Sequence, residues 1–189
     1  IDRWIKDYYH MHAIKAFVVG VSGGIDSAVV STLCAETGLP TYVVTMPLDS
    51  KKENTELSNL HAKELDEKYE NVEILDIDLS GVFHTLISTI GLQTSKEGYT
   101  YNRDLITNEH SNANTKSRLR MVTLYQIAGS VGGIVVGTGN KVEDYGVGFY
   151  TKYGDGGVDI APIADLYKTE VWELGKHLGV DSRIIEATP

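Results

Sequence analysis

Four short apolar runs, each separated from the next by a helical pattern, constrain the fold of this chain more than any other feature. The runs lie at residues 15–21, 41–46, 72–77 and 133–138 and are rich in β-branched side chains. They lack a strict alternation of apolar and polar residues, which is typical of parallel strands that are covered on both faces. Strands that alternate with helices predict βαβ units with right-handed crossovers, and therefore an α/β fold with an open parallel sheet.

The helical patterns between these runs predict which segments cover the sheet. They lie at residues 25–36, 53–69 and 115–131, with two further patterns at residues 1–12 and 169–179. Two segments interrupt this alternation and are predicted to be site loops. Residues 92–114 are polar and residues 138–159 are rich in glycine, and both are longer than most connections in a compact domain.

Composition narrows the class of protein. The hydrophobic fraction of 42% is that of an ordinary globular chain, and no apolar run approaches the ~20 residues of a membrane span. The net charge of −9 argues against nonspecific binding to nucleic acid. Cys34 is the single cysteine, which favours a cytoplasmic protein without disulfides. We expect residues 1–189 to form one domain, and both ends of the chain to be cuts rather than natural termini.

The stretch "GVSGGIDS" at residues 20–27 joins the first predicted strand to a helix and is suited to binding phosphate. Its glycines permit a tight turn whose N–H groups, with the positive end of the helix dipole, face an anion. The lysine of the Walker phosphate loop is absent. Asp26 would repel bare phosphate, so its presence indicates a bridging Mg²⁺. The alternative is a purely structural turn in which an aspartate or serine caps the helix.

Three stretches resemble a known family. "SGGIDS" at residues 22–27 is similar to the loop of the PP-loop ATP pyrophosphatases, which cleave ATP between its α- and β-phosphates. Within that group, "NANTKSRLRM" at residues 112–121 resembles a helix of the NAD synthetases. "GTGNKVEDYGVGFYTKYGDGGVDIAPIADLYKTEV" at residues 137–171 resembles a second, longer segment of the same enzymes. The resemblance implies a Rossmann-like sheet with the strand order 3-2-1-4-5.

The resemblance also implies a reaction. NAD synthetases of this kind convert deamido-NAD to NAD with ATP, Mg²⁺ and ammonia, as the last step of NAD biosynthesis. The nicotinate carboxylate attacks the α-phosphate of ATP, which gives an adenylated intermediate and pyrophosphate, and ammonia then displaces AMP. Related enzymes are homodimers, so a homodimer is implied here, without nucleic acid or membrane as a partner.

Residue roles follow position by position from the resemblance. The implied ATP-binding residues are Gly20, Val21, Ser22, Gly23, Gly24, Ile25, Asp26, Ser27, Thr138 and Lys168. Asp26 and Glu143 are the implied Mg²⁺ ligands. Arg118, Lys152 and Asp159 are the implied deamido-NAD-binding residues, and Asp26, Lys152 and Lys168 are the implied catalytic residues. A further ATP-contacting threonine and a His-Lys pair are expected C-terminal to Pro189.

Alternative functions stay open from the sequence. One is a different ATP pyrophosphatase, such as the synthetase domain of GMP synthetase or a tRNA-thiolating enzyme. Another is a non-catalytic ATP-binding sensor of the universal-stress type, which would not need both Asp26 and Glu143. The source of ammonia is also open, because the chain is compatible with a stand-alone enzyme or with the synthetase portion of a glutamine-dependent one.

Overall fold

A four-stranded parallel sheet forms the centre of the structure, a computed structural model that describes residues 1–95 and 98–187. Its strands are β1 (Phe17–Val21), β2 (Thr41–Thr45), β3 (Val72–Asp76) and β6 (Ile134–Val135), in the order β3-β2-β1-β6. An antiparallel hairpin of β4 (Leu92–Ser95) and β5 (Gly98–Tyr101) precedes β6 in the chain. The four parallel strands lie in the four predicted runs, so the α/β class and the order 3-2-1-4 of those runs are confirmed.

The predicted fifth parallel strand is reduced to one bridge within the described residues. Ile160 pairs in parallel with Val136, and the Gly137 N–H donates to the Ile160 carbonyl at 2.7 Å. Pairing ends there because Pro162 has no N–H to donate and begins a turn. The strand order therefore stops at the position that the fifth strand was expected to fill.

Seven helices surround the sheet in the described part of the chain. They are α1 (Asp2–Met11), α2 (Ile25–Glu36), α3 (Lys52–Lys68), α4 (Ser80–Gly91), α5 (Glu109–Val131), α6 (Lys168–Leu178) and α7 (Ser182–Ile185). Alternate residues of β1 face opposite sides: Phe17 and Val19 pack with α1, α2, α6 and α7, whereas Val18 packs with α4 and α5. Helix α3 packs with α2 on the first side. Coverage of both faces, which the strand composition predicts, is confirmed.

The prediction that residues 92–114 form a loop is wrong for its described part. The hairpin, a 3₁₀ turn at Arg103–Leu105 and the first turns of α5 occupy it, while residues 96 and 97 lie outside the described residues. Helix α5 begins at Glu109 because the Asn108 side chain accepts the Ser111 N–H at 2.8 Å and caps it. The sequence pattern does not predict α4, whose first residue has no side-chain cap and whose interior is rich in β-branched residues.

A buried histidine joins α3 to α2 directly behind the loop at residues 20–27. The His61 side chain is 2% exposed, and its Nε2 lies 2.9 Å from the Ser31 hydroxyl. That hydroxyl donates to the Ser27 carbonyl at 2.7 Å, so we assign the ring proton to Nε2. Burial outweighs the nearby charge of Asp181 and lowers the pKa of His61 to about 4. His61 is therefore neutral in the folded protein at pH 7.

This histidine predicts a loss of stability in mild acid. Between its unfolded pKa of about 6.5 and its folded pKa of about 4, only the unfolded chain binds the proton, so stability falls as pH falls. We expect this group alone to cost about 2 kcal/mol between pH 7 and pH 5. His61→Gln keeps an N–H donor for Ser31 but removes the titration. Urea unfolding at both pH values should show a smaller pH dependence in the variant, and equal pH dependences would contradict the assignment.

Candidate active site

The loop at residues 20–27 forms a tight connection between β1 and α2. Gly23 has a φ of +88°, and a Cβ at this position would lie 2.5 Å from the Asn54 carbonyl oxygen, so a side chain here would meet the backbone of α3. Gly24 occupies the N-cap of α2 without a side-chain cap. The first-turn N–H groups of α2 are therefore available to a bound anion. The tight strand-to-helix turn that the glycines predict is therefore present, and its role in binding phosphate stays a prediction.

The side chains of this loop divide into two kinds. Val21 and Ile25 are buried in the core, so any contact between these two residues and a phosphate runs through their backbone N–H groups. Ser22 and Ser27 instead face each other with their hydroxyl oxygens 3.2 Å apart, and Ser27 donates to the Gly24 carbonyl at 2.9 Å. These bonds hold the turn closed.

Two adjoining cavities open beside the loop, at the carboxyl ends of β1 and β6. The larger has a volume of about 410 Å³ and walls that are mostly apolar, including Met46, Met121 and Leu124. The smaller, of about 170 Å³, is polar and acidic. Ser22, Ser27, Thr138 and Asp155 line both. Since β1 and β6 are neighbours while the chain continues from β1 to β2 on the other side, this is the switch point where open α/β sheets bind ligands.

Two predicted site residues, Asp26 and Glu143, line the smaller cavity, and a third, Lys168, contacts both of them. Asp26 lies in the first turn of α2, Glu143 in a π-helical turn at Val142–Val147, and Lys168 is the first residue of α6. The Lys168 ammonium forms ion pairs with Asp26 and, at 3.3 Å, with Glu143. Burial lowers the pKa of Lys168, but the hydrogen bonds and charges of the two carboxylates outweigh it, so the pKa lies above its usual value. A cation thus lies between the two carboxylates.

Carboxylates outnumber cations in this cavity. Burial, and then the charges of Glu143, Asp155 and Asp26, raise the pKa of Asp144. Within residues 1–95 and 98–187, no group of three or more His, Cys, Asp or Glu side chains is arranged to hold a metal ion. A donor set of two carboxylates fits Mg²⁺, which proteins usually bind through one or two carboxylates together with substrate phosphates and waters.

The three predicted deamido-NAD residues make their contacts with α5, with Tyr153 and with β6. The Arg118 guanidinium on α5 donates to the Lys152 carbonyl at 3.1 Å, and the Lys152 ammonium lies 5.0 Å from the centre of the Tyr153 ring. Asp159 accepts the Tyr125 hydroxyl at 3.2 Å and the Val135 N–H at 2.8 Å. Arg118 and Lys152 are thus in contact, whereas Asp159 is engaged at the edge of β6.

A third cavity, of about 470 Å³, lies beside Asp159. Its walls include Val122, Tyr125 and Tyr153. Burial, followed by the charge and hydrogen bond of Asp159, raises the pKa of Tyr125, so its hydroxyl stays protonated and donates to the carboxylate. Met121 lines this cavity and also the apolar cavity of about 410 Å³ beside the loop, so the two cavities are neighbours along α5.

Several residues of the site have no role assigned by the sequence. The Arg120 guanidinium donates to the Met46 carbonyl at 3.2 Å, in the wall of the apolar cavity of about 410 Å³. Burial lowers the pKa of Arg120, so this residue is not simply a solvated residue on a helix face. Asp155 accepts the Ser117 hydroxyl at 2.6 Å and the Thr151 N–H at 3.0 Å. Asn140 is fully buried beside Asp26. Arg120, Asn140 and Asp155 all lie within the two matched stretches at residues 112–121 and 137–171. Their position in these motifs is the sequence signal that could have identified them as site residues.

The fold and site define a nucleotide-binding α/β protein with a phosphate loop and two carboxylates at the switch point of a parallel sheet. The profile of the NAD synthase family matches residues 1–189. The chain is 36% identical over 188 residues to the NH(3)-dependent NAD(+) synthetase of Carboxydothermus hydrogenoformans, which covers 99% of this chain and 71% of the relative. The chain belongs to the NAD synthase family, as the motifs predict.

Solved structures agree with this membership. NMN synthetase from Francisella tularensis superposes with a TM-score of 0.85 at 32% identity, and the match covers 100% of this chain and 71% of that one. NH3-dependent NAD synthetase from Campylobacter jejuni has a TM-score of 0.81 at 30% identity over 98% of this chain and 73% of that one. The family match favours the NAD synthetase interpretation over the other ATP pyrophosphatases and the ATP-binding sensor.

The contacts of Lys168 predict how Mg²⁺ changes the stability of the protein without bound substrates. Lys168→Met removes the positive charge between two carboxylates, so we expect a loss of about 1–2 kcal/mol in the free energy of unfolding in EDTA. Added Mg²⁺ should restore part of that loss, because it can replace the ammonium. Lys176→Met, which breaks an exposed pair with Glu173 at 2.9 Å, should cost well under 1 kcal/mol and show no recovery. Equal responses of the two variants would contradict the shared cation position.

Proposed function

We propose that this chain is an ammonia-dependent NAD synthetase, which converts deamido-NAD to NAD with ATP. The observation that carries the proposal is the convergence of Asp26, Glu143 and Lys168 beside the phosphate loop, in a chain of the NAD synthase family. A loop that holds phosphate through N–H groups and carboxylates suits cleavage of ATP with pyrophosphate as the leaving group. AMP and pyrophosphate are the expected by-products.

ATP is proposed to span the two adjoining cavities. The apolar cavity of about 410 Å³ suits the adenosine, with the base against Met46, Met121 and Leu124. The phosphates then reach the loop at residues 20–27, where backbone N–H groups and the hydroxyls of Ser22 and Ser27 bind them. Thr138 lines both cavities and is proposed to contact the same phosphates.

Charge in the phosphate site is proposed to be balanced by Mg²⁺ and Lys168. Asp26 and Glu143 would hold the ion, and when bound it neutralises charge on the phosphate oxygens. Lys168 then exchanges its carboxylate partners for phosphate oxygens and stabilises the negative charge that develops on the leaving pyrophosphate. Both steps of the reaction need positioning and charge stabilisation rather than a protein nucleophile.

Deamido-NAD is proposed to bind along α5 and the segment at residues 151–159. Arg118 and Lys152 supply positive charge for its phosphates or carboxylate, and Asp159 accepts from a hydroxyl group of the substrate. Lys152 is also proposed to assist the reaction at the nicotinate carboxylate.

A homodimer is proposed because the third cavity lies on an exposed apolar face. Val122 is 66% exposed and Tyr153 is 72% exposed, and both line that cavity. A second copy of the chain would cover this face, and a solution mass equal to one chain would contradict it. None of the helices in the described ranges is long and apolar enough to cross a membrane. A cytoplasmic location is part of the same proposal, and fractionation of the producing cells would test it.

One assay tests the proposed reaction. Purified protein with ATP, Mg²⁺ and ammonium should form NAD, AMP and pyrophosphate only when deamido-NAD is present. Nicotinic acid mononucleotide serves as a competing substrate, since the structurally similar Francisella protein is an NMN synthetase. A third assay replaces ammonium with glutamine to test the nitrogen source. Preference for the mononucleotide would change the substrate assignment, and release of orthophosphate instead of pyrophosphate would overturn the reaction class.

Substitution of the two carboxylates tests the proposed site. Asp26→Asn and Glu143→Gln keep side-chain size but remove the negative charge that would hold Mg²⁺. We expect each to lower kcat by roughly 10²- to 10³-fold in a protein that still folds, as its circular dichroism spectrum would show. Glu173→Gln, which alters an exposed carboxylate on α6, is the matched control and should keep full activity. Near-normal rates in either site variant across Mg²⁺ concentrations would contradict the two-carboxylate site.

A further inference from the structure

Asn140 makes three side-chain hydrogen bonds that join the carboxylate of Asp26 to the backbone of the turn that carries Glu143. Its side chain is 0% exposed. The Nδ2 group donates to Asp26 Oδ1 at 2.9 Å, and Oδ1 accepts the Val142 N–H at 3.0 Å and the Glu143 N–H at 3.2 Å. One amide side chain therefore contacts the first turn of α2 and the π-helical turn that carries Glu143.

The bond to Asp26 fixes the orientation of its carboxylate, so that one oxygen stays free for the cation position. Asn140 occupies Oδ1 of Asp26, whereas Oδ2 is the atom that contacts the Lys168 ammonium. Rotation of the carboxylate would break the bond to a fully buried N–H group, which is costly because that group has no water to replace its partner. Asn140 thus presents Oδ2 to whatever cation lies between Asp26 and Glu143.

The backbone around Asn140 is itself anchored on both sides. The Lys141 N–H donates to the Leu166 carbonyl at 2.9 Å, two residues before Lys168, and the Asp144 N–H donates to the Asn140 carbonyl at 3.0 Å. These bonds connect the segment to the start of α6 and to the π-helical turn. The position of the Asn140 side chain is therefore set by the same elements that carry Lys168 and Glu143.

A side chain that only capped the π-helical turn would not need to be asparagine. Aspartate, serine or threonine also accept the N–H groups of a following turn, but aspartate has no donor, and the hydroxyl of serine or threonine lies closer to the backbone than the amide and offers one atom for both tasks. The amide provides an acceptor for the turn and a donor for Asp26 at once. Capping the turn does not use the N–H donor, so the bond to Asp26 is an additional role of this side chain.

We propose that Asn140 is a positioning residue that holds Asp26 and Glu143 in register and thereby sets the affinity of the ATP-loaded site for its divalent cation. The inference rests on the proposed function, because it takes these two carboxylates as the ion's ligands. Its role is indirect: Asn140 acts through the carboxylates and touches neither the ion nor the substrate.

The experiment compares the same substitution at two asparagines. Asn140→Ser keeps a cap oxygen and loses the donor to Asp26. Asn108→Ser makes the identical change at the exposed cap of α5, where Oδ1 accepts the Ser111 N–H at 2.8 Å. Mn²⁺ binding is measured by electron paramagnetic resonance in the presence of α,β-methylene-ATP, which is not cleaved at the α–β position. Affinity for this analogue in EDTA is measured in parallel.

We expect Asn140→Ser to weaken Mn²⁺ binding by roughly 10- to 100-fold, as removal of a group that orients a metal ligand usually does. Binding of the analogue in EDTA should change far less, and Asn108→Ser should leave Mn²⁺ binding at the wild-type value. In an Asp26→Asn background, Asn140→Ser should have little further effect, because both changes act on the same carboxylate. Additive effects, or wild-type Mn²⁺ binding by a folded Asn140→Ser protein, would overturn the proposal.

Two further outcomes keep this inference separate from the proposed function. If Asn140→Ser does not fold, Asn140→Thr fills more of the vacated space, lacks the donor to Asp26 and should show the same loss of Mn²⁺ binding. A protein that binds Mn²⁺ with the analogue as expected, yet forms no NAD, would contradict the proposed reaction and leave the role of Asn140 supported. A wild-type protein without analogue-dependent Mn²⁺ binding would overturn both the metal site and the role of Asn140.

Discussion

The parallel pairing of β1 with β6 is the contact on which the candidate site depends. Only Phe17–Ile134 and Val18–Val135 are paired, yet this places the loop after β1 and the segment after β6 at the same edge of the sheet. The first carries Asp26 and the second carries Asn140 and Glu143. Asp159 supports the outer side of β6, because its carboxylate accepts the Val135 N–H and its own N–H donates to the Val135 carbonyl. A residue matched to substrate binding thus also stabilises the strand.

The smaller cavity holds an excess of negative charge that needs cations to balance it. Asp26, Glu143, Asp144 and Asp155 place negative charge around a cavity of about 170 Å³, and Lys168 alone is paired with two of them. ATP would add further negative charge, which is the physical reason for proposing a divalent cation at this site. The loop lacks the Walker lysine, and the cation that contacts its aspartate, Lys168, comes from α6, a distant part of the chain.

Much of the fold could be predicted because strand composition and helical spacing are local signals. The positions of β1, β2, β3, α2 and α6 follow from them. The fifth strand, the hairpin of β4 and β5, and α4 could not, because Pro162 ends the pairing early and because short or β-branched segments take their structure from tertiary contacts. The site shows the same division. Motifs indicate Asp26 and Glu143, but the burial of Asn140 and the contact of Arg120 with the Met46 carbonyl depend on packing between elements that are distant in sequence.

Asp155 shows how the two proposed substrate regions are connected. It lines both cavities of the ATP region, and its carboxylate accepts bonds from Ser117 on α5 and from the Thr151 N–H, next to Lys152. Helix α5 also carries Arg118, which donates to the Lys152 carbonyl. The segment that presents Lys152 is therefore fixed to α5 by two neighbouring residues, Ser117 and Arg118, whose contacts join the wall of the phosphate-loop cavities to the backbone of Lys152.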